Sequence, residues 1–173
     1  MLELRRNHRI GGYDSILVRD GRIKYRKGSI RLTEDAEAAF VQLLRNTMID
    51  AIRESDIVVA EDPGRCVMEV VFEVEELDLE TRSYAENLAD LIVSMRFRDS
   101  ASGRHLLRYA RRERVPHPEL GVSDDHQLRV EFHRLVREMN VSRVLRPAGL
   151  ATDRTIEGCQ GILGAVGRTA VSR

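Results

Sequence analysis

The chain has 173 residues, a formal net charge of zero, 42% hydrophobic and 32% charged residues, and no tryptophan. These values are typical of one globular domain with a tail and exclude a disordered chain, while the balanced charge excludes a general attraction to nucleic acid or anionic lipid. No run of 18 apolar residues occurs, so the sequence predicts no membrane-spanning helix.

The first twelve residues are polar and basic, and they are predicted to form a loose segment. This segment has neither the apolar stretch of a signal peptide nor a lipobox cysteine, so a chain that begins at Met1 is expected to be cytoplasmic. That expectation depends on Met1 being the true start, so the residues alone leave the localisation of the protein unknown.

Residues 15–26, SILVRDGRIKYR, alternate apolar and polar side chains, which is typical of β-structure. Asp20-Gly21 at the middle of this stretch is a type I′ turn pair and predicts a short hairpin. A single strand with a bulge at Gly21 is the alternative, because a glycine inside a strand pattern is also typical of a bulge.

A helix is predicted from about Glu34 to Glu54. Thr33 is its expected N-cap, and acidic residues fill its first turn, where the helix dipole favours negative charge. The apolar side chains that recur at helical spacing are Phe40, Leu43, Leu44, Thr47, Met48, Ala51 and Ile52.

Three longer strands are predicted after a short strand at residues 57–59 and a turn at residues 62–64, each with one apolar and one polar face. A five-residue loop, residues 99–103, joins the second of them to the third, in which Leu107 and Tyr109 point inward. The inward side chains of the other two are Met68, Val70, Phe72 and Val74, and Leu91, Val93, Met95 and Phe97. We expect these eight residues to be buried against the helices, through Phe40, Leu43, Leu44, Phe132 and Leu135.

A second helix is predicted behind Asp124 or Asp125, with an apolar face that runs from Leu128 to Met139. After Pro147 the pattern fades into a flexible tail with a glycine at every third position from 158 to 167, which docks a few apolar residues at most. The order of elements predicts an α+β fold with two layers, a mainly antiparallel sheet and two helices on one face. The predicted divisions are a loose segment (1–12), an α+β domain (13–146) and a Gly-rich tail (147–173).

Arginine is concentrated in the stretch RFRDSASGRHLLRYARRER, residues 96–114. Residues 91–173 carry 15 basic and 9 acidic side chains, against 13 and 19 in residues 1–90. If the strands are neighbours, the outward arginines lie across from Glu69, Glu73 and Glu75, and each such pair contributes roughly 0.2–1 kcal/mol. We therefore expect Arg96 and Arg98 to pair with these acids on a solvent-exposed face. The alternative is a binding surface that comprises Arg96, Arg98, Arg108 and Arg112.

No catalytic residue, metal site or cofactor is predicted. The chain contains no Gly-x-Ser-x-Gly, no phosphate-binding loop and no dinucleotide fingerprint. His126 and His133 lack a further ligand at metal-binding spacing. Cys66 and Cys159 are far apart in sequence, and they are either a disulfide in an oxidising compartment or two buried thiols.

The order of these elements and one turn resemble a known family. The stretch YDSILV opens a strand, a helix with an acidic start follows, and the later hairpin turn is Asp99-Ser-Ala-Ser-Gly-Arg-His-Leu106. This pattern is similar to the bacterial envelope lipoproteins known only as a domain of unknown function, whose turn is commonly D-S-x-T-G-E-x-L. The resemblance covers roughly residues 13–140 and implies a periplasm-facing α+β domain that an N-terminal lipidated cysteine tethers to a membrane. This chain lacks that cysteine and has Arg104 where the family has glutamate, and the family carries no agreed catalytic residues.

These observations favour a non-enzymatic module of the cell envelope whose partner is another protein or an envelope component. The resemblance implies the periplasm or the outer membrane as its location. The alternative is a nucleic-acid-associated protein that uses the basic hairpin at residues 96–114, but the chain lacks the interleaved aromatic side chains on which bases stack.

Overall fold

The computed structural model describes residues 2–4, 10–29, 31–78, 88–116, 134 and 156–163. A short 3-10 turn at Ile10–Gly12 precedes the main body of the fold. Together the described residues form seven strands and one α-helix, namely β1 (Leu2–Leu4), β2 (Ser15–Arg19), β3 (Ile23–Tyr25), α1 (Glu34–Arg53), β4 (Val58–Ala60), β5 (Val67–Asp78), β6 (Leu88–Asp99) and β7 (His105–Pro116). The predicted α+β class is confirmed.

The described strands form one sheet in the order β1-β7-β6-β5-β2-β4, and β3 pairs with β5 beyond the end of β2. The pairs β1/β7, β6/β7 and β5/β6 are antiparallel. In contrast, β2 and β3 run parallel to β5, and β4 runs parallel to β2. The prediction of a mainly antiparallel sheet therefore holds for the three long strands. The sheet as a whole is mixed, because α1 acts as a crossover that brings the chain back in the same direction.

Gly21 lies within one interrupted strand and not at a hairpin turn. Arg19 is opposite Val71 and Ile23 is opposite Val74, so four steps along the first strand match three steps along β5. The extra residue is a bulge, and it brings Gly21 so close to β5 that a Cβ atom would overlap the carbonyl oxygen of Phe72. Of the two interpretations of Asp20-Gly21, the bulge is correct and the hairpin is wrong, because the close approach of two backbones requires the glycine here.

Replacing Gly21 with alanine should lower the free energy of unfolding by at least about 1–3 kcal/mol, the usual cost of overpacking. The new methyl group would have to displace β3 and so weaken the hydrogen bond from the Val74 N–H to the Arg22 carbonyl, 3.1 Å. Urea unfolding followed by circular dichroism measures the change. Gly64→Ala is the matched control, since its methyl group would meet only the Val67 side chain at 3.4 Å. Equal stability losses in the two variants would contradict the bulge.

Helix α1 begins at the predicted residue and ends one residue before the predicted end. The Thr33 side-chain hydroxyl accepts a hydrogen bond from the Ala36 N–H at 3.3 Å, which satisfies one of the free amides of the first turn. Tyr25 fixes the start of the helix to β3, because its hydroxyl donates to the Glu37 carboxylate at 2.9 Å. The helix residues buried against the sheet are Phe40, Leu44, Thr47, Met48 and Ile52, with Leu43 half-buried.

The core lies between α1 and one face of the sheet, as the alternation of the strands predicts. The eight strand residues predicted to be inward are all buried: Met68, Val70, Phe72, Val74, Leu91, Val93, Met95 and Phe97. A second bulge lies at Glu75, since Val74 pairs with Val93 whereas Glu76 pairs with Ile92. This bulge changes the alternation of β5 and turns Leu77 inward.

The structure describes one α-helix where two were predicted. The second predicted helix, with Phe132 and Leu135, lies outside the described residues apart from Arg134. The helical layer of the described fold is therefore α1 alone, which contacts β2, β4 and β5. Across the part of the chain that the structure describes, no helix has the length and apolar character needed to cross a membrane.

Both segments expected to be loose contain residues that are anchored in the fold. At the N-terminus, β1 pairs with β7, and Ile10 is buried. Near the C-terminus, Leu163 is buried in the core, and its N–H donates to the Tyr13 carbonyl at 3.0 Å. These anchors lie in segments of a few residues, which are too short to show a hydrophobic periodicity that could reveal them.

Candidate functional site

The charged face is the side of the sheet that points away from α1. Strand β5 contributes its glutamates, and β6 and β7 contribute the arginines that the sequence singled out. The register places Glu69 opposite Arg98, Val71 opposite Arg96, and Glu73 opposite Ser94. The residues that define the charged face are Glu69, Glu73, Glu75, Ser94, Arg96, Arg98 and Arg108.

Ion pairs within the chain bind the carboxylates of the charged face. Glu73 pairs with Arg96 on the neighbouring strand and accepts a second hydrogen bond from the Nε of Arg22 at 2.9 Å. Glu75 accepts from Arg108 at 2.5 Å and from the Ser94 hydroxyl at 2.8 Å. The predicted pairing of Arg96 with Glu73 is confirmed.

Arg98 lies across from Glu69 as predicted, but it does not form the predicted ion pair with that residue. Glu69 pairs with Arg19 instead, with Nε and Oε2 3.3 Å apart. The Nε of Arg98 is buried without a hydrogen-bond partner. Arg112, the fourth residue of the predicted binding surface, is on β7 opposite Ile92, and its side chain is exposed.

The charged face is largely buried, and the prediction that it is exposed to solvent is wrong. Glu73 is only 4% exposed, Ser94 is fully buried, and the side chain of Arg96 is 16% exposed. Val71 and Ala110 are buried on the same face. Alternation separates the two faces of a strand correctly, but it cannot show whether the polar face is in contact with water.

Burial and the ion pairs act on the pKa values of these groups in opposite directions. Burial by itself would raise the pKa of Glu75, but hydrogen bonds from Ser94 and Arg108 outweigh it and hold the pKa below its ordinary value. Because the folded-state pKa is the lower one, Glu75 contributes stability above its unfolded-state pKa and loses it as the pH falls through the folded-state value. The pKa of Arg96 is lowered by burial first, and then by the charges of Arg22, Arg98 and Arg108.

Hydrogen bonds hold the loop between β6 and β7 in place. Asp99 accepts from the Tyr13 hydroxyl at 2.8 Å and from the Ser102 N–H and hydroxyl at 2.7 Å. The Ser100 hydroxyl bridges to the backbone of Gly64. Burial would raise the pKa of Asp99, but its hydrogen bonds lower it. The loop therefore serves to tie the hairpin to the turns that precede β2 and β5.

Residues 156–163 form a second cluster, which we call the C-terminal clasp. Cys159 forms a disulfide with Cys66, with Cα atoms 5.5 Å apart. The carboxylate of Asp14 accepts hydrogen bonds from the backbone N–H groups of residues 160, 161 and 162 at 3.0, 2.6 and 3.3 Å. Gly158 and Gly161 have positive φ angles, which explains part of the glycine spacing in the sequence.

The sequence predicted the arginines of the charged face and missed several partners. Arg22 follows the bulge at Gly21, so its position beside Glu73 depends on a bulge that the sequence offered only as one of two alternatives. Asp14 and Cys159 belong to segments separated by more than a hundred residues. The presence of two cysteines was the available signal for the clasp, and it did not show whether they form a disulfide or remain two thiols.

No family model and no curated protein matches this chain. Among solved structures it is similar to protein XCC0632 from Xanthomonas campestris, of family model DUF330, at 13% identity and a TM-score of 0.47, covering 92% of this chain and 88% of that one. It is similar to the PelC dodecamer from Paraburkholderia phytofirmans at 14% identity and a TM-score of 0.44, covering 84% and 96%. It is similar to lipoprotein GNA1162 from Neisseria meningitidis at 10% identity and a TM-score of 0.41, covering 73% of this chain and 98% of that one. The structures similar to this chain thus include a DUF330 protein and bacterial lipoproteins.

Proposed function

We propose that this chain is a non-enzymatic interaction module of the bacterial cell envelope that works in an oxidising compartment, where its partner is another protein or an envelope component. The disulfide between Cys66 and Cys159 is the single observation that carries the proposal. Disulfides form and persist in the periplasm and on cell surfaces, and they are rare in the reducing cytosol.

The place of the disulfide in the fold supports a structural role in such a compartment. The bond joins the turn before β5 to the clasp across 93 residues of sequence. The chain-entropy model assigns a closed loop of about this length a stabilisation of roughly 4–5 kcal/mol. The clasp in turn is hydrogen-bonded to the Tyr13 backbone carbonyl and places the Leu163 side chain in the core. Oxidation of the two thiols therefore stabilises the folded chain with the clasp in place.

The charged face supports a non-enzymatic role. Each of its three carboxylates is bound by at least one arginine, so these groups neutralise charge and are poorly placed to transfer protons. Of the predicted binding surface, Arg96 and Arg108 serve this pairing. We propose that the exposed part of the basic hairpin, around Arg112, contacts the partner, and that the buried part fixes the register of the strands.

The localisation experiment tests the proposal directly. Cells of the bacterium that encodes the chain are treated with a membrane-permeant alkylating reagent, fractionated, and probed for the protein. We expect the protein in the envelope fraction with Cys66 and Cys159 protected from alkylation until a reductant is added. A variant with Cys66→Ser and Cys159→Ser, which has no thiol at these positions, is the control for alkylation elsewhere in the protein. Alkylated, reduced thiols in the cytoplasmic fraction would overturn the proposal.

A nucleic-acid titration tests the alternative function in the same protein. Because the charged face pairs its own acids and arginines, we expect binding of duplex or single-stranded nucleic acid no tighter than about 10⁻⁴ M at physiological salt, the weak end of nonspecific binding. Micromolar binding with a steep salt dependence, lost in Arg108→Ala and Arg112→Ala, would favour the nucleic-acid function instead.

A further inference from the structure

Asp14, Cys66 and Cys159 place one carboxylate oxygen and two sulfur atoms within 4.8 Å of one another. Asp14 lies immediately before β2, and Cys66 immediately before β5, the strand to which β2 is paired. The Asp14 N–H donates to the Cys66 carbonyl at 2.9 Å, so these two residues are neighbours through the sheet itself. Cys159 comes from the C-terminal clasp.

The clasp is held beside Asp14 by contacts that do not depend on the sulfur–sulfur bond. Three backbone N–H groups of residues 160–162 donate to the Asp14 carboxylate, and the Leu163 N–H donates to the Tyr13 carbonyl. The Leu163 side chain is buried in the core. Reduction of the disulfide therefore leaves the two thiols and the carboxylate close together.

We propose that the reduced form of the protein binds one thiophilic divalent cation, of the Zn²⁺ or Cd²⁺ type, through the thiolates of Cys66 and Cys159 and the carboxylate of Asp14. Two molecules of a thiol reductant supply the two electrons and two protons that convert the disulfide to two thiols, and they leave as their own disulfide. The cation then displaces one proton from each thiol and forms two metal–sulfur bonds.

The donor set suits such a cation. Zinc sites combine sulfur and carboxylate ligands at roughly 2.0–2.3 Å, and a water molecule completes a tetrahedral site with three protein ligands. Asp14 Oδ2 accepts a single hydrogen bond, from the Gln160 N–H, which leaves an oxygen lone pair for the metal. The amides on the carboxylate fix its orientation, as partners beyond the ligands do in other metal sites.

Cation binding and the disulfide exclude each other, because a disulfide offers no thiolate. Under oxidising conditions Cys66 and Cys159 would therefore form a covalent cross-link. Under reducing conditions the same two residues would bind the cation together with Asp14. This inference does not rest on the envelope function, since it concerns the reduced protein wherever it occurs.

A titration of the purified full chain with Cd²⁺ tests the proposal. The oxidised protein and the protein reduced by a phosphine are compared by the ultraviolet charge-transfer absorbance of cadmium–thiolate bonds. We expect one equivalent of Cd²⁺ to bind the reduced form and none to bind through sulfur in the oxidised form. Circular dichroism of the reduced protein before titration shows whether the fold persists. A reduced, folded protein without the absorbance, or a reduced protein that has lost its native spectrum, would overturn the proposal.

Two variants separate the proposed site from a simple dithiol. Asp14→Asn keeps one oxygen, which can still accept from the N–H groups of residues 161 and 162, but its NH2 group cannot accept from the Gln160 N–H and the charged ligand is lost. We therefore expect affinity to fall by about 10–100-fold. The cadmium NMR shift, which moves with the set of sulfur and oxygen ligands, should change as well. Asp62→Asn, at an exposed carboxylate, is the matched control and should bind as the wild type does. Unchanged affinity and shift in Asp14→Asn would remove the carboxylate from the site and overturn the three-ligand proposal.

Discussion

Phe72→Ala should lower the free energy of unfolding by about 3–5 kcal/mol, the usual cost of removing a buried phenylalanine and leaving a cavity. Phe72 is 1% exposed, lies at the middle of β5, and faces Met95 on β6. Its side chain is on the face that α1 covers, so no solvent can replace the lost contacts. Urea unfolding monitored by circular dichroism measures the loss, provided that the variant and the wild type show the same dependence of the free energy of unfolding on urea concentration.

Val58→Ala is the matched control for this prediction. Val58 also lies in a strand, but its side chain is 56% exposed, and its truncation should change the free energy of unfolding by no more than about 0.5 kcal/mol. If Phe72→Ala proved as mild as Val58→Ala, the faces of β5 would be reversed. The glutamates would then point into the core.

Removing Arg96 should be nearly as damaging, although it belongs to the polar face. Arg96→Met leaves the carboxylate of Glu73 buried beside Ser94, with Arg22 as its remaining partner. Breaking a buried ion pair on one side costs about 3–5 kcal/mol, because the surviving charge loses its compensation. Arg22 still contacts Glu73, so we expect the lower end of that range. Arg22→Met should cost about 0–1 kcal/mol, because most of that side chain is exposed.

The double variant Glu73→Leu with Arg96→Met distinguishes an ion pair from two independent side chains. When both charges are replaced by apolar groups of similar size, neither member of the pair is left as an uncompensated buried charge, and such replacements are often close to neutral. We therefore expect the double variant to be more stable than Arg96→Met alone. A loss equal to the sum of the two single losses would show that the residues act independently.

The sequence predicts the local pattern of this fold well where one face of a strand or helix is apolar. The inward residues of β5 and β6 and the N-cap at Thr33 each depend on neighbours a few positions away, and each is found as predicted. The hairpin loop predicted at residues 99–103 lies one residue later, at residues 100–104. The Arg96–Glu73 pair followed from the same alternation, because opposite charges occupied the outward positions of two adjacent strands.

The remaining features depend on contacts that no local pattern contains. Gly21 fits a turn and a bulge equally well, and only the approach of Phe72 from a distant strand decides between them. The burial of Glu73 depends on the packing of the second face of the sheet, which alternation leaves open. Asp14 and Cys159 meet because β2 and β5 are paired and the clasp returns to them.

Tyr13 and Asp14 contact residues 160–163 in the folded chain, and this long separation in sequence has a consequence for synthesis. Translation adds about 5–20 residues per second, so Asp14 emerges roughly 7–30 s before residues 160–163 exist to contact it. β1 has no partner until β7 has been synthesised, and the backbone edge of β5 stays open until β6 has been synthesised. The burial of Leu163 and the bond between Cys66 and Cys159 therefore form only after every described strand has been synthesised.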